Sequence, residues 1–168
     1  MRLSRCLAVP FALALSGCSY SYDLLAVVIG GRLAFIVDPR SARSPDCLNV
    51  IEVQTDEEAN ATAEPSDDLT RVGYGTYWYE RVSYGCKNPF PVFYGSALKG
   101  GPPEDSGVVE ALPASEGQTG THARPDHVKP KPLKVGVVYR IRTTTGATGY
   151  GSGAFRIRPN RTVENLPQ

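Results

Sequence analysis

The sequence lacks a hydrophobic run long enough to span a membrane. Its longest apolar stretch, residues 24–37, has 14 residues and is interrupted by Arg32, whereas a transmembrane helix needs about 20 mostly apolar residues. The apolar stretch at residues 7–15 is shorter still. Neither segment predicts a transmembrane helix, so any membrane attachment has to come from another source.

The sequence also has few of the residues on which catalysis usually depends. Its 2 histidines, His122 and His127, lie in a proline-rich segment at a spacing of five, where no helix brings them to one face. It contains no Cys-x-x-Cys pair and no Gly-x-Ser-x-Gly motif, so neither a redox site nor that type of hydrolase nucleophile is indicated. A closed metal site needs three or four ligands, which this segment does not supply. We therefore predict a protein that is not an enzyme and holds no metal or cofactor.

An excess of one charge sign is absent as well. The 18 basic and 17 acidic residues give a formal net charge of +1, a balance that does not indicate nucleic-acid binding. The charges are nevertheless separated along the chain. Residues 52–68 hold seven acids and no lysine or arginine, while residues 124–161 hold nine bases and one acid. The acidic segment is expected to be a solvated loop.

The N-terminal residues have the pattern of a secretory signal followed by a cysteine. Two arginines near the start provide a positive region, residues 7–15 provide an apolar region, and a pair of small residues precedes Cys18. The sequence LSGC at residues 15–18 resembles the lipobox of bacterial lipoproteins and matches it at all four positions. The alternative is a plain signal peptide with an incidental cysteine.

The resemblance implies a lipid anchor. In that family the cysteine thiol receives a diacylglycerol, the chain is cleaved before the cysteine, and the new amine is usually acylated. Residues 1–17 are then removed, Cys18 is the lipid-attachment residue, and residues 18–23 tether a single β domain, residues 24–168, to the bilayer. Ser19 after the cysteine implies, by the enterobacterial sorting pattern, the periplasmic face of the outer membrane. Cleavage also reduces the 18 basic residues to 16 against 17 acids.

Two thiols remain for the folded domain. Cys6 leaves with the signal and Cys18 is acylated, so Cys47 and Cys86 are the other cysteines of an exported chain. Because the compartment outside the cytoplasm is oxidising, we predict a disulfide between them. A bond that closes a loop of about 40 residues stabilises the fold by about 4 kcal/mol. Two buried free thiols are the alternative.

Patterns of β-strands dominate the rest of the chain. Gly30 and Gly31 separate two β-rich runs, residues 24–29 and 32–37, and predict a hairpin that is apolar on both faces and hence central in a sheet. Further strands are predicted near residues 47–55, 74–82, 90–96, 133–144 and 155–157. Residues 56–70, with a possible helical turn, and residues 99–132 predict flexible loops. The fold class is therefore all-β, an antiparallel sandwich or small barrel of about seven to eight strands.

Aromatic residues are concentrated in the strand predicted at residues 74–82. Alternation puts Tyr77 and Tyr79 on one face and Trp78 on the other. One of these rows is expected to enter the core. The three residues are also candidate binding residues, because an exposed aromatic row is typical of a contact surface.

The C-terminal strands carry a basic face. Arg140 and Arg142 lie on one strand and Arg156 and Arg158 on the next. If paired residues have numbers that sum to 298, Arg142 lies opposite Arg156 and Arg140 opposite Arg158. Like charges directly opposite destabilise a sheet. We therefore expect an anion nearby, either an acid from residues 52–68 or an external phosphate-bearing lipid or envelope polymer, and the four arginines are candidate binding residues.

The connection between these strands is rich in glycine. Gly149, Gly151 and Gly153 do not form a nucleotide fingerprint, because a strand and not a helix follows, and they are predicted to supply positive φ angles to a turn. The segment TTTGATGYGSGAF is loosely similar to the Ser/Gly-rich loop with which small β-barrel lipoproteins of the lysozyme-inhibitor type enter the enzyme cleft. In this chain RIRPNR follows, where that family has an aromatic segment with lysine.

Two functions are compatible with these features. The first is a membrane-anchored envelope lipoprotein with a non-enzymatic structural or interaction role, whose partners are the bilayer and an envelope protein or anionic polymer. The alternative is an inhibitor or binder of a cell-wall enzyme or glycan, with contacts from Tyr77, Trp78, Tyr79 and residues 145–153. Exposed aromatics in a groove favour the alternative, and a buried row favours the first.

Overall fold

The chain folds almost entirely into β-strands, which confirms the predicted class. The computed structural model describes residues 19–61, 64, 75–83, 85–101 and 127–167. Its strands are β1 (Tyr20–Ile29), β2 (Arg32–Val37), β3 (Cys47–Leu48), β4 (Val50–Gln54), β5 (Thr76–Arg81), β6 (Asn88–Pro89), β7 (Val92–Phe93), β8 (His127–Val128), β9 (Val138–Thr145), β10 (Gly149–Ile157) and β11 (Val163–Leu166). A 3-10 turn, Glu58–Asn60, confirms the helical turn expected in the acidic segment. None of the helices in these ranges is long and apolar enough to cross a membrane.

Several predicted features lie outside the described residues. These are the signal segment, Cys18, His122 and most of the two predicted loops at residues 56–70 and 99–132. The described fold therefore begins at Ser19.

Most strands belong to one curled sheet. Its order is β7-β2-β1-β10-β9-β4-β5-β8, and β11 pairs with β10 beside this path. β3 and β6 form a separate two-stranded sheet. The strand pairs are antiparallel except that residues 20–23 of β1 run parallel to residues 149–152 of β10. The sheet is thus mixed and not wholly antiparallel.

β1 begins earlier than the sequence predicted. Residues 20–23, expected to be part of the tether at 18–23, form the first half of this strand and pair with β10. Tyr22 is buried whereas Ser21 and Asp23 are exposed, which is the alternation of a strand. Four residues are too few to reveal that period without knowledge of the partner strand. The folded domain therefore starts at Tyr20, not at residue 24.

The hairpin of β1 and β2 forms with the predicted ends. Gly30 and Gly31 connect the strands with φ angles of 57° and 79°, a region that glycine adopts at little cost. The expectation that the hairpin is central is wrong at its tip, where Val28 is 53% and Ile29 40% exposed. The reason is that β10 pairs only with the first half of β1, so the second half extends beyond the middle of the sheet.

The β9–β10 hairpin has a different register from the predicted one. Arg142 lies opposite Ser152, and the numbers of paired residues sum to 294 instead of 298. Gly146, with a φ angle of 55°, lies in the turn. The predicted juxtaposition of Arg142 and Arg156 is therefore wrong, because the chain turns at the start of the glycine-rich segment and the later glycines belong to β10.

Those later glycines make room for side chains from β1. Gly149, Gly151 and Gly153 are absent from the residues with positive φ angles, so their predicted role in a turn is wrong. A Cβ atom at Gly151 would overlap the Tyr22 ring and the Thr143 hydroxyl. The Tyr22 side chain crosses β10 at this point, and its hydroxyl is 2.8 Å from Oγ1 of Thr143 on β9. The glycine row thus permits the close contact that joins β1 to β9.

Aromatic rings fill the core on the inner face of the sheet. Phe35, Trp78, Tyr139 and Phe155 are each 0% exposed. The ring centroids of Phe35 and Trp78 are 6.5 Å apart, and those of Tyr139 and Phe155 are 5.5 Å apart. Burial of each large apolar side chain contributes about 1.5–3 kcal/mol. This cluster joins β2, β5, β9 and β10.

The predicted disulfide is present. Cys47 and Cys86 are bonded, with their Cα atoms 5.3 Å apart. The short pairing of β3 with β6, in which Leu48 lies opposite Asn88, brings the two cysteines together. By the loop-entropy relation, a closed loop of this length stabilises the fold by about 4 kcal/mol.

Candidate functional site

Two of the three candidate aromatic residues belong to the core. Tyr77 is 1% and Trp78 0% exposed, while Tyr79 is half-buried. Consecutive residues of a regular strand face opposite sides, but the β4–β5 ladder shifts register between Val53 and Gln54. Such a bulge turns two neighbouring side chains to the same side of the sheet. Tyr77 and Trp78 are therefore unavailable to an external partner. No local pattern in the sequence predicts the bulge.

Three of the four candidate arginines bind acids of the chain itself. Arg140 pairs with Asp56, an acid within the predicted segment 52–68. Arg156 and Arg158 both bind Glu164 on β11, which the sequence analysis did not consider. Their hydrogen bonds lower the pKa of the Glu164 carboxyl to about 2. The expected acid from residues 52–68 is found for Arg140, whereas the acid that binds Arg156 and Arg158 lies outside that segment.

The fourth arginine lies in a polar row on the outer face of the sheet. Reading across β5, β4, β9, β10 and β1, the paired residues are Tyr79, Glu52, Arg142, Ser152 and Asp23. Arg142 is exposed, and in contrast to the other three arginines it forms no ion pair with the acids in the described ranges. The register thus brings a guanidinium and a carboxyl side by side on neighbouring strands.

Burial has the largest effect on the pKa of Glu52 in this row. Loss of solvent raises the pKa of the half-buried Glu52 carboxyl, while the charge of Arg142 and a hydrogen bond from the Thr76 hydroxyl oppose that shift. The Thr76 oxygen is 3.4 Å from Oε1 of Glu52. A polar ligand forms a stronger hydrogen bond with a partly desolvated carboxyl than with a fully solvated carboxyl, because fewer water molecules compete for the carboxyl oxygens.

A groove of about 310 Å³ lies along this part of the outer face. The residues that line it are Val50, Glu52, Arg142, Thr143, Thr144, Tyr150, Gly151 and Ser152. The Tyr150 ring is 51% exposed and follows Gly149 on β10. The groove therefore combines an exposed aromatic face, hydroxyl groups, a guanidinium and a carboxyl, which together suit a polar ligand with a flat apolar side.

Sequence reasoning did not single out Glu52 as a member of a site, and it placed Tyr150 in a contact loop instead of on a strand. Glu52 was counted with the acidic segment, although the alternation of residues 50–54 already places it on the polar face of a strand. Tyr150 was assigned to a turn, although Gly149, Tyr150, Gly151 and Ser152 alternate with the period of a strand. The two-residue alternation of a strand is the sequence pattern that indicates the positions of Glu52 and Tyr150.

The glycine-rich segment does not form the protruding loop that its resemblance implied. Residues 149–152 pair with β9 on one side and β1 on the other. Residues 146–148 form the turn. Contact with an enzyme cleft through the whole segment 145–153 would require this part of the sheet to open.

The described ranges contain no cluster of residues arranged to bind a metal ion. No group of three or more His, Cys, Asp or Glu residues has the geometry to hold a metal ion there. His127 lies on β8, where it pairs with Glu80 of β5.

Comparison with other proteins does not assign a family or a function to the chain. No protein-family model matches the sequence, and neither a curated protein nor a solved structure matches it significantly. Functional assignment therefore depends on the residues and geometry of this chain.

Proposed function

We propose that this protein is a bacterial envelope lipoprotein, held at a membrane by acyl chains on Cys18, that acts by binding and not by catalysis. The observation that carries the proposal is the signal-like segment that ends in LSGC at residues 15–18, two residues before the folded domain begins at Tyr20. A cleavage site beside the first strand leaves the domain intact and its new N-terminus at the surface.

The energetics of lipid attachment support this reading. Each buried methylene contributes about 0.8 kcal/mol, and one acyl chain alone gives only marginal attachment. Two or three chains on the same cysteine give a durable anchor without a membrane-spanning helix. Such an anchor is compatible with a domain made of strands, and the outer membrane, facing the periplasm, is the proposed location.

The disposition of the aromatic residues supports a structural or interaction role. Tyr77 and Trp78 are fixed in the core, which removes the aromatic contact surface on which the alternative had depended. The exposed apolar tip of the first hairpin remains as a surface feature for a protein partner, and the exposed guanidinium of Arg142 remains as one for an anionic partner.

The outer groove supports a second candidate, the binding of a cell-wall glycan. An exposed Tyr150 ring beside Glu52 and Arg142 offers a stacking surface with hydrogen-bonding groups at its edge. Sugars present an apolar ring face and a polar rim, so the arrangement suits that class of ligand. In this candidate the contact residues are those of the groove instead of Tyr77 and Trp78.

Membrane fractionation tests the anchor with a matched pair of variants. The change Cys18→Ser removes the acceptor thiol, and we expect the protein to move from the membrane fraction to the soluble periplasm or to remain as a precursor. The change Cys6→Ser alters a cysteine that is lost with the signal, and we expect unchanged membrane attachment. Equal fractionation of both variants with the unaltered protein, with all three chains cut before residue 18, would refute the anchor.

A further inference from the structure

One end of the domain is defined by the start of β1. The Tyr20 amide donates a hydrogen bond of 2.9 Å to the Thr148 carbonyl, so the turn at residues 146–148 lies beside it. The Asn49 amide donates to the Thr144 carbonyl, also at 2.9 Å, which brings the segment before β4 to the same place. We call this end the entry end: Tyr20, residues 44–49, residues 85–86 and residues 145–148.

The entry end contains a groove of about 430 Å³. Its lining includes Tyr20, Pro45, Asp46, Gly146 and the disulfide of the chain. Asn49 also lines it, and the Oδ1 atom of this residue is buried without a hydrogen-bond donor among the described residues. Because this oxygen is shielded by the domain, an external group reaches the rest of the groove lining and not this atom.

We propose that the entry end rests on the lipid headgroups of the bilayer that holds the Cys18 acyl chains. This proposal rests on the proposed function. Ser19 alone separates Cys18 from Tyr20, and an extended chain covers about 7 Å over these two residue steps. A headgroup layer is about 5–7 Å thick, half the difference between the full bilayer and its hydrocarbon core. An anchor at the base of that layer therefore leaves no room for a gap between the entry end and the membrane.

The side chains of the entry end suit such a surface. Tyr20 is half-buried, and tyrosine is enriched where a protein meets the headgroup region. Lys87 is exposed beside Cys86, and a lysine at this level is attracted by lipid phosphates. The groove offers the exposed Asp46 carboxylate to headgroup amines.

The opposite end carries the features that a membrane disfavours. β4 runs from Val50, which pairs with Thr144 near the entry end, to Gln54, which pairs with Arg140. Asp56, Glu57 and the 3-10 turn follow Gln54 and so lie away from the entry end. Anionic headgroups repel these acids. Arg140 neutralises Asp56, and Lys87 offsets Asp46 at the entry end, so the charges of Glu57 and Glu58 are those that favour an upright domain with this end in the periplasm.

This orientation also places the tip of the first hairpin. β1 has 10 residues from Tyr20 to Ile29, and at a rise of about 3.3 Å per residue it spans about 30 Å. The exposed Val28 and Ile29 side chains are therefore held away from the headgroups, within reach of a periplasmic partner. A tether of the predicted six residues would not have fixed the orientation in this way.

Fluorescence quenching by headgroup-labelled lipids tests the orientation. A single exposed cysteine is introduced either at the entry end, Ser44→Cys, or at the hairpin tip, Val28→Cys, and is labelled with the same fluorophore. Each purified acylated protein is reconstituted into phosphatidylethanolamine and phosphatidylglycerol vesicles that contain a lipid with a nitroxide on its headgroup. We expect the label at residue 44 to be quenched several-fold more strongly than the label at residue 28.

The outcomes separate this proposal from the proposed function. Equal quenching at both positions, or stronger quenching at residue 28, in a protein whose Cys18 is acylated would overturn the orientation alone. A purified protein whose N-terminal peptide carries no acyl chain would overturn the proposed function and the orientation with it. Circular dichroism of each labelled variant confirms that the label has not disturbed the fold.

Discussion

The carboxamide of Asn165 pairs with both backbone polar groups of Ala26. The Ala26 amide donates to Oδ1 of Asn165 at 2.7 Å, and Nδ2 of Asn165 donates to the Ala26 carbonyl at 2.9 Å. β1 leaves β10 after residue 23, and β11 takes the vacated position beside β10. The Asn165 side chain thus supplies the hydrogen bonds of a neighbouring strand at a place where the edge of β1 would otherwise be unpaired.

The change Asn165→Ala is expected to lower the free energy of unfolding by about 1–2 kcal/mol, because two hydrogen bonds to a half-covered strand are lost. Asn165→Asp keeps the acceptor but loses the donor, and we expect a loss of similar size. Urea denaturation measures both variants. Two variants as stable as the unaltered protein would show that water replaces the carboxamide without loss.

The glycines of β10 predict that a single added methyl group lowers the stability of the fold. In Gly151→Ala the new Cβ atom overlaps the Tyr22 ring and the Thr143 hydroxyl, so we expect destabilisation by about 1–3 kcal/mol. Gly101→Ala is the matched control, since its Cβ atom would lie 3.8 Å from the nearest group, the Ser83 hydroxyl. Thermal unfolding compares the two. Equal melting temperatures would contradict the close contact between β1 and β9.

The Glu164 ion pairs predict how stability responds to acid. Hydrogen bonds from Arg158 and Arg156 lower the pKa of the Glu164 carboxyl from 4.5 to about 2. A lowered folded-state pKa stabilises the fold above the unfolded pKa and loses that contribution as pH falls towards 2. The stability advantage of the unaltered protein over Glu164→Gln should therefore be full at pH 6 and shrink below pH 4.5.

Denaturant unfolding at a series of pH values measures this difference. Glu58→Gln, which alters an exposed acid of the 3-10 turn, serves as the control for the loss of a surface carboxylate. A difference between the unaltered protein and Glu164→Gln that stays constant from pH 6 to pH 2 would refute the role of the two arginines.

The outer groove predicts glycan affinity that depends on one aromatic ring. If the groove binds soluble peptidoglycan fragments, Tyr150→Ala should weaken binding by about tenfold, the equivalent of a stacking contact of about 1.4 kcal/mol. Val135→Ala removes apolar surface of similar exposure, 52% against 51%, outside the groove and should leave binding unchanged. Calorimetric titration measures all three proteins. Absence of binding by the unaltered protein, or equal affinities, would exclude the glycan candidate.

The parts of the fold that follow from local chemistry could be predicted from the sequence. Two consecutive glycines between apolar runs specify the tip of the first hairpin, and two cysteines outside the signal-like segment led to the predicted disulfide. Alternation in residues 138–145 specifies which side of β9 is buried. Each of these signals lies within a few residues or depends on composition alone.

The parts that depend on partners in space could not be predicted. The register of β9 and β10 depends on which glycine turns the chain, and only Gly146 among several does so. The burial of Tyr77 depends on a bulge that forms against β4. The outer groove joins Glu52, Arg142 and Tyr150 from three strands, and their proximity follows from the strand order of the sheet. Local patterns carry no information on that order.

The anchor on Cys18 is tested most directly by mass spectrometry of the N-terminal peptide of the protein purified from bacterial membranes. The proposed function predicts a peptide that begins at Cys18 and carries the added mass of a diacylglyceryl group, with a further acyl chain on its amine. A peptide with an unmodified cysteine, or one that retains residues 1–17, would contradict the account.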